Sequence, residues 1–201
     1  MKRSTLETEV SVEVSIYGTG RADVNTGIAF LDHLLRTLAC HSLIDVRIAA
    51  RAVQAGARSL DEAHHIAEDV GICLGQAISE AMSNALNFPG NNWRIRRFGH
   101  ALVPMDDALV FAAVDIGGRA YFAQDLGLEG IREGEFQLDW AIEFLRSFAA
   151  NMLINLHVMK FRGKDPHHTI EAAFKAVGLA LRDALDEDPR RREVPSTKGL
   201  I

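Results

Sequence analysis

The sequence predicts an α+β fold made of two similar units in tandem, each pairing a sheet with helices. Polar and apolar residues alternate over Glu7–Ile16, as in a half-buried strand, whereas Glu62–Asn84 carries apolar residues at helical spacing. An order of short helix, strand and long helix occurs in the first half and returns in the second. A His-His-x-x-Glu motif accompanies the long helix both times, at 64–68 and at 167–171. These observations indicate a tandem duplication.

The first half is predicted to begin with a strand, which ends at the cluster Gly18–Gly20. A helix, a second strand and a long helix follow, because apolar spacing changes from period 2 to the helical period and back. The predicted elements are strands Glu7–Ile16 and Leu43–Ala50 and helices Phe30–Cys40 and Glu62–Asn84.

The second half begins with two predicted strands and then repeats the order of the first. Turns are expected at Pro104–Asp107 and at Gly117 and Gly118, and the last helix is interrupted only by Gly178. The predicted elements are strands Arg97–Val103, Ala108–Ile116 and Met152–Lys160 and helices Leu138–Asn151 and His167–Leu185. We take 1–92 as the first repeat, 93–185 as the second and 186–201 as a tail. The loop Arg51–Asp61 and this tail are predicted to be mobile.

Composition narrows the classes of function. The chain has 201 residues, of which 48% are hydrophobic, and this is enough to bury a full core. A net charge of −5 gives no basic footprint for nucleic acid, so an anionic ligand must meet a local cluster of arginine and lysine. Cys40 and Cys73 lack a CxxC partner, which argues against a disulfide framework and a zinc ribbon. With no signal peptide or membrane span recognisable, we expect a cytoplasmic protein.

The duplicated motif favours metal binding. Its first histidine and its glutamate are four residues apart on one helix face, where they can chelate one ion. The second histidine points about 100° away, so two such motifs can supply two different metal sites, even across a subunit boundary. A single His pair is often an exposed or otherwise satisfied pair on a helix, but duplication makes that alternative weak. Imidazole and carboxylate donors without thiolate point to manganese, iron or zinc.

Aligning the two short helices adds a further pair of candidate ligands. When Leu35-Arg36 is set on Leu145-Arg146, Ala39 falls on Ala149 and His33 falls opposite Glu143. Histidine and glutamate both bind metals, so each repeat carries one candidate ligand on its short helix.

Five stretches resemble those of the imidazoleglycerol-phosphate dehydratase family, in family order and over nearly the whole chain. They are Thr26–His33 (TGIAFLDH), His64–Asp69 (HHIAED), Arg97–Gly99 (RFG), Pro166–Lys175 (PHHTIEAAFK) and Pro195–Gly199 (PSTKG). The resemblance implies a fold like domain 2 of ribosomal protein S5. It also implies an assembly of twenty-four chains whose active sites lie at subunit interfaces, each with two manganese ions.

The resemblance implies eight metal ligands drawn from neighbouring subunits. One site would use His33, His65, His167 and Glu171, and the other His64, Glu68, His168 and Glu143. At Glu143 the family has histidine, so this position departs from the pattern. Glu143 is either a substituted ligand, since a carboxylate is a good manganese donor, or a solvated glutamate at a lost site.

The reaction that the resemblance implies is the dehydration of imidazole glycerol phosphate to imidazole acetol-phosphate, without an organic cofactor. The expected catalytic residues are Glu7, Glu171 and His33, with an exposed strand residue as the alternative for Glu7. The expected substrate-binding residues are Glu7, His41, Arg97, Arg119, Lys175, Ser196, Thr197 and Lys198, the arginines and the lysine-containing tail serving the phosphate.

Other polar residues are expected to have structural roles. Asp106 and Asp107 are expected to be ordinary turn residues, and His100 and His157 to be structural histidines. Ala63 stands where the family usually has aspartate, and the loop before His64 is longer than usual. A diverged enzyme acting on another phosphorylated substrate, or a non-catalytic metal-binding protein, therefore remain as alternatives.

Overall fold

The computed structural model describes residues 1–53, 60–86, 95–191 and 193–198. Its helices are α1 (Ala29–Ser42), α2 (Leu60–Leu86), α3 (Leu138–Met152) and α4 (Pro166–Leu185). Its strands are β1 (Lys2–Ser4), β2 (Thr8–Ser15), β3 (Ala22–Asn25), β4 (Asp45–Ala52), β5 (Phe98–Met105), β6 (Ala108–Asp115), β7 (Tyr121–Asp125), β8 (Arg132–Glu133), β9 (Phe136–Gln137) and β10 (Asn155–Arg162).

Two four-stranded sheets of the same topology confirm the predicted α+β fold with two similar units. Their strand orders are β1-β2-β4-β3 and β5-β6-β10-β7. In each sheet the third strand runs antiparallel to the second and parallel to the fourth. The β8–β9 hairpin has no counterpart among the described residues of the first unit. The predicted boundary at 92/93 lies outside the described residues.

Local geometry supports the alignment of the two units. Leu43 ends α1 and Leu153 ends α3, and both adopt a left-handed conformation with φ of 58° and 60°. Asp45 then pairs with Ser15, as Asn155 pairs with Asp115. The offset between the short helices is therefore the one that places His33 opposite Glu143.

The predicted helices and longer strands are all present within a few residues of their expected bounds. The strands that periodicity missed are β1, β3 and β7, each of at most five residues, and the two-residue β8 and β9. Strands this short contain too few alternations to stand out. Residues 54–59 of the loop predicted to be mobile lie outside the described residues.

The long helix of each unit packs against the short helix of the other. A Cβ at Gly75 of α2 would lie 2.6 Å from the carbonyl oxygen of Phe148 on α3. At the repeat-equivalent position of α4, a Cβ at Gly178 would lie 2.9 Å from the carbonyl oxygen of Leu38 on α1. The glycine that interrupts the last predicted helix, Gly178, is thus a site where two helix backbones approach closely. Because α1 of the first unit packs on α4 of the second, α1 also reaches the beginning of α4.

Helices α3 and α4 contribute three aromatic rings to the core. Phe144 and Phe148 of α3 and Phe174 of α4 have no exposed surface, and their rings stack with centroids 5.6 and 6.0 Å apart. Each such burial contributes about 1.5–3 kcal/mol to folding. Cys73 is buried and Cys40 exposed, and both are free. Within the described part of the chain, no helix has the length and apolar character needed to cross a membrane.

Replacing Gly75 with alanine is expected to destabilise the fold by about 1–3 kcal/mol, because the new methyl group must displace the backbone of α3. Thermal unfolding of the metal-free protein measures this change. Ser83→Ala, at an exposed position on the same helix, serves as the control and should change stability by less than about 0.5 kcal/mol. Equal melting temperatures for Gly75→Ala and the natural sequence would contradict the close approach.

Candidate active site

The second His-His-x-x-Glu motif lies in the first turns of α4, where a side chain caps the helix. Asp165 is the N-cap residue, and its carboxylate accepts hydrogen bonds from the backbone amides of His167 and His168 at 2.8 and 3.3 Å. Pro166 follows at the position where a missing amide costs nothing. The sequence therefore begins the helix at a fixed residue and sets the direction of both histidines.

Three side chains from two helices form a cluster suited to a divalent cation. His33 Nε2 of α1 lies 3.1 Å from Glu171 Oε2, and His167 Nε2 lies 3.4 Å from the same oxygen. All three donor atoms lie within 4.8 Å of one another. Ligands held about 2.1 Å from one ion lie about 3 Å apart, so the donors fit a single ion with little movement. Among the described residues, this is the only such group of three.

Lys175 holds Glu171 in its charged form. Its ammonium group lies 2.9 Å from Glu171 Oε1, the oxygen that does not face the histidines. Burial opposes the charge, but hydrogen bonds from Lys175 and His33 outweigh it and lower the pKa of Glu171 below its ordinary value. Burial and the charge of Lys175 lower the pKa of nearby His41. His41 and Lys175, both predicted to bind substrate, thus lie beside the cluster.

The hairpin of the second unit adds a carboxylate that the sequence did not reveal. Glu133 Oε1 of β8 lies 3.3 Å from His167 Nδ1, on the side of the ring away from Glu171. Phe30 packs on the same imidazole with a centroid separation of 5.3 Å. His167 is thereby held between a carboxylate and an aromatic ring with Nε2 directed into the cluster.

The second histidine of each motif lies apart from the cluster and faces a carboxylate of its own. His65 Nδ1 is 3.3 Å from Glu7 Oε2, and His168 Nδ1 is 2.8 Å from Asp107 Oδ1. Glu7 and Asp107 occupy equivalent positions before β2 and before β6. Within the described part of one chain, His65 is therefore not brought together with His33, His167 and Glu171. The family resemblance implies one site for all four, built from neighbouring subunits.

Asp107 does more than the ordinary turn role predicted for it. Its Oδ2 accepts hydrogen bonds from the backbone amides of Lys164 and Asp165 at 2.6 and 3.1 Å. These bonds, and then the bond from His168, hold the pKa of Asp107 well below its usual range. The same bond raises the pKa of His168. Asp106 Oδ2 lies 3.4 Å from His168 Nε2, so the turn places carboxylates at both ring nitrogens.

The remaining predicted ligands are only partly assembled. His64 Nε2 and Glu68 Oε2 lie 3.9 Å apart on α2. Glu143 Oε2 of α3 lies 3.2 Å from Arg146 Nε, and its other oxygen lies 3.4 Å from Ser147 Oγ. Among the described residues, Glu143 is therefore paired with Arg146 and Ser147 and belongs to no group of three candidate ligands.

Basic residues surround a cavity of about 870 Å³ beside the second sheet. Arg97 binds both oxygens of Asp115 and donates to the carbonyl oxygen of Pro195 at 2.8 Å, which joins the tail to the sheet. Gly199 of the last motif lies outside the described residues. The polar residues that line the cavity are Arg97, Arg119, Arg191, Ser196, Thr197 and Lys198. Five of these six were predicted to bind substrate, and Arg191 was not.

This cavity and the histidine cluster lie at opposite ends of α4. The backbone amide of Arg97 donates to the carbonyl oxygen of Ala184 near the end of the helix, whereas His167 lies at its beginning. At 1.5 Å per residue the two positions are roughly 25 Å apart. One chain therefore presents a basic cavity and a cluster suited to a divalent cation that no small ligand can occupy together.

Comparisons with known proteins point to one family. The family model described as imidazoleglycerol-phosphate dehydratase matches residues 26–181. A relative with that name from Clostridium botulinum is 43% identical over 99% of this chain and 95% of its own length. One from Symbiobacterium thermophilum is 46% identical over 99% of this chain and 90% of its own. The crystal structure of IGPD from Pyrococcus furiosus has a TM-score of 0.80 at 35% identity and covers 100% of both chains. The Staphylococcus aureus enzyme has a TM-score of 0.75 at 30% identity, covering 93% of this chain and 98% of its own.

Proposed function

Because the chain belongs to the imidazoleglycerol-phosphate dehydratase family, we propose that it converts imidazole glycerol phosphate to imidazole acetol-phosphate in histidine biosynthesis, with manganese as its metal. The observation that carries this proposal is the cluster of His33, His167 and Glu171, whose three donor atoms lie within 4.8 Å of one another. Two imidazoles and a carboxylate suit a borderline or hard divalent cation.

The donor set supports two manganese ions in each active site. His33, His167 and Glu171 would hold one ion together with His65 of a second copy. The other would be held by His64, Glu68 and Glu143 together with His168 of a second copy. When bound, manganese supplies positive charge that stabilises the electrons released towards the imidazole ring of the substrate.

The chain's own residues perform the remaining tasks of the dehydration. A hydroxyl must leave and a neighbouring C–H proton must be taken, after which the enol becomes a ketone. Glu7 is the proposed acid or base, because its carboxylate is exposed and close to His65. Glu171 and His33 orient the reacting end of the substrate, and Lys175 keeps Glu171 charged.

The phosphate of the substrate fits the basic cavity. A planar guanidinium and an ammonium group are the donors that a phosphomonoester needs, and Arg97, Arg119 and Lys198 provide them. Ser196 and Thr197 add hydroxyl donors. Because only a three-carbon chain joins the phosphate to the imidazole ring, the substrate cannot bridge the roughly 25 Å between cavity and cluster in one chain. A complete active site therefore requires a cavity from another copy.

The outer face of the second sheet supports self-association, and the corresponding face of the first sheet differs from it. On the first sheet this face is charged, and Arg51 pairs with Glu9 and Arg47 with Glu13. On the second sheet Phe161 occupies the place of Arg51, and large apolar side chains that are about half exposed cover the surface. These are Phe98, Leu102, Tyr121, Met159 and Phe161. Apolar surface of this kind marks an interface, so we propose that it packs against further copies in an assembly of twenty-four chains.

Turnover of imidazole glycerol phosphate by metal-stripped protein reloaded with manganese tests the function. The natural sequence is expected to form imidazole acetol-phosphate at roughly 1–10³ per second, with Glu143 serving as a ligand. Glu143→His is run beside it and is expected to remain active, since both side chains can donate to the ion. Glu80→His, at an exposed position on α2, is the matched control for adding a histidine.

Each other outcome has its own meaning. Turnover only after Glu143→His would show that the natural glutamate has disabled one metal site. Full manganese loading without turnover in either protein would contradict the proposed reaction and indicate another phosphorylated substrate. An empty second site with no turnover would indicate a non-catalytic metal-binding protein.

A further inference from the structure

The turn before β6 places the carboxylate of Asp107 beside His168, and both carboxylate oxygens accept hydrogen bonds. Asp107 Oδ2 is bound by the backbone amides of Lys164 and Asp165, and its Oδ1 lies 2.8 Å from His168 Nδ1. The two amides belong to the residues immediately before α4, so the carboxylate is attached to the same segment that begins the helix. Asp107 can therefore neither rotate away nor exchange its partner without breaking backbone hydrogen bonds.

This contact determines which ring nitrogen can donate electrons. A carboxylate only accepts hydrogen bonds, so Nδ1 of His168 must carry a proton. The neutral imidazole then keeps its lone pair on Nε2, which is the form that binds a metal. The contact at Nε2 is longer than the hydrogen bond at Nδ1, because Asp106 Oδ2 lies 3.4 Å away. Nε2 is therefore the ring nitrogen that remains available to a cation.

The first repeat contains the same arrangement independently. His65 corresponds to His168, and its Nδ1 faces Glu7, which corresponds to Asp107. In both motifs a carboxylate thus lies beside Nδ1 of the second histidine, from glutamate in the first repeat and from aspartate in the second. Glu7 has a proposed part in proton transfer, whereas Asp107 has none, so the duplicated feature is best explained by what it does to the histidine.

We propose that Asp107 is a positioning residue that fixes His168 with Nδ1 protonated and Nε2 available to bind a divalent cation. This assignment rests on the proposed function, because it uses the manganese site to which His168 would contribute. Asp107 itself contacts neither the ion nor the substrate, and it acts through the histidine.

Manganese binding to metal-stripped protein, measured by the loss of the electron paramagnetic resonance signal of free Mn²⁺, tests the assignment. Asp107→Asn is the informative variant, because one amide atom remains an acceptor for the backbone while the other becomes a donor to Nδ1. That donor stabilises the wrong tautomer of His168, so one of two classes of bound ion is expected to weaken about 10–100-fold. Asp107→Glu should restore binding, since the first repeat uses glutamate in this place.

Two controls separate positioning from folding. Asp183→Asn removes a carboxylate that pairs with Arg96 far from the histidines and should leave both classes unchanged. The melting temperature of metal-free Asp107→Asn should stay within about 2 °C of the natural value. Three outcomes would overturn this assignment without affecting the proposed function. They are unchanged manganese affinity in Asp107→Asn, equal weakening of both classes of bound ion, and failure of Asp107→Glu to bind manganese like the natural sequence. A natural sequence that binds no manganese would overturn the proposed function as well.

Discussion

Replacing Glu171 with glutamine is expected to reduce turnover by at least about a thousandfold, equivalent to about 4 kcal/mol in the activation barrier. Its carboxylate is the one group that joins His33, His167 and Lys175. Glutamine keeps the shape but loses the charge, and its amide would direct hydrogens at either the lysine or the imidazoles. The manganese content of the purified variant should fall together with turnover.

Steady-state kinetics and metal analysis of the same preparation measure both effects. Glu13→Gln, which removes an exposed carboxylate paired with Arg47 on the first sheet, is the matched control and should retain the natural rate. If Glu171→Gln kept more than about a tenth of the turnover, the cluster could not be the reacting end of the active site.

Replacing Arg97 with lysine is expected to lower kcat/KM by about a hundredfold, largely through a higher KM. The guanidinium binds two oxygens of Asp115 and the carbonyl oxygen of Pro195 at once. A lysine cannot reproduce that planar geometry, so the tail that carries Ser196 and Lys198 loses its attachment to the sheet. Weaker inhibition by inorganic phosphate should accompany the higher KM.

The neighbouring arginine offers a matched control for this substitution. Arg96 is exposed and pairs with Asp183 and Asp186 instead of lining the cavity. Arg96→Lys should therefore leave KM within about twofold of the natural value. An unchanged KM and phosphate inhibition in Arg97→Lys would show that the cavity does not bind the phosphate of the substrate.

Periodicity and the duplicated motif were sufficient to predict the two-unit fold and the pairing of His167 with Glu171, whereas the family resemblance was needed to place His33 with them. The alternation over Glu7–Ile16 and the apolar spacing of the long helices located the main elements, because each contains enough residues to show its period. His33 was found through the alignment of the short helices, which depends on Leu35 and Leu145. Periodicity and the histidine motif can each be recognised within a short stretch of sequence, and the duplication provides two copies of both.

The contacts between units could not be predicted in the same way. Periodicity shows which face of a helix is apolar but does not show which partner covers it. The packing of α1 on α4 and of α3 on α2 could therefore not be predicted from periodicity. Gly178 was the available signal, since a glycine within a helix often marks a close approach of backbone. Asp107 could have been found by extending the repeat alignment to Glu7, whereas Glu133 lies in a hairpin without a repeat equivalent and gave no signal.

The central claim is that each active site combines the cluster of one chain with His65 of another, and subunit complementation tests it most directly. His65→Ala and Glu171→Gln chains, each expected to be nearly inactive alone, are co-expressed with different tags and purified as mixed assemblies. Random mixing pairs an intact cluster with an intact His65 in one arrangement of four, so about a quarter of the natural turnover is expected. Mixed assemblies no more active than either parent would contradict a shared site.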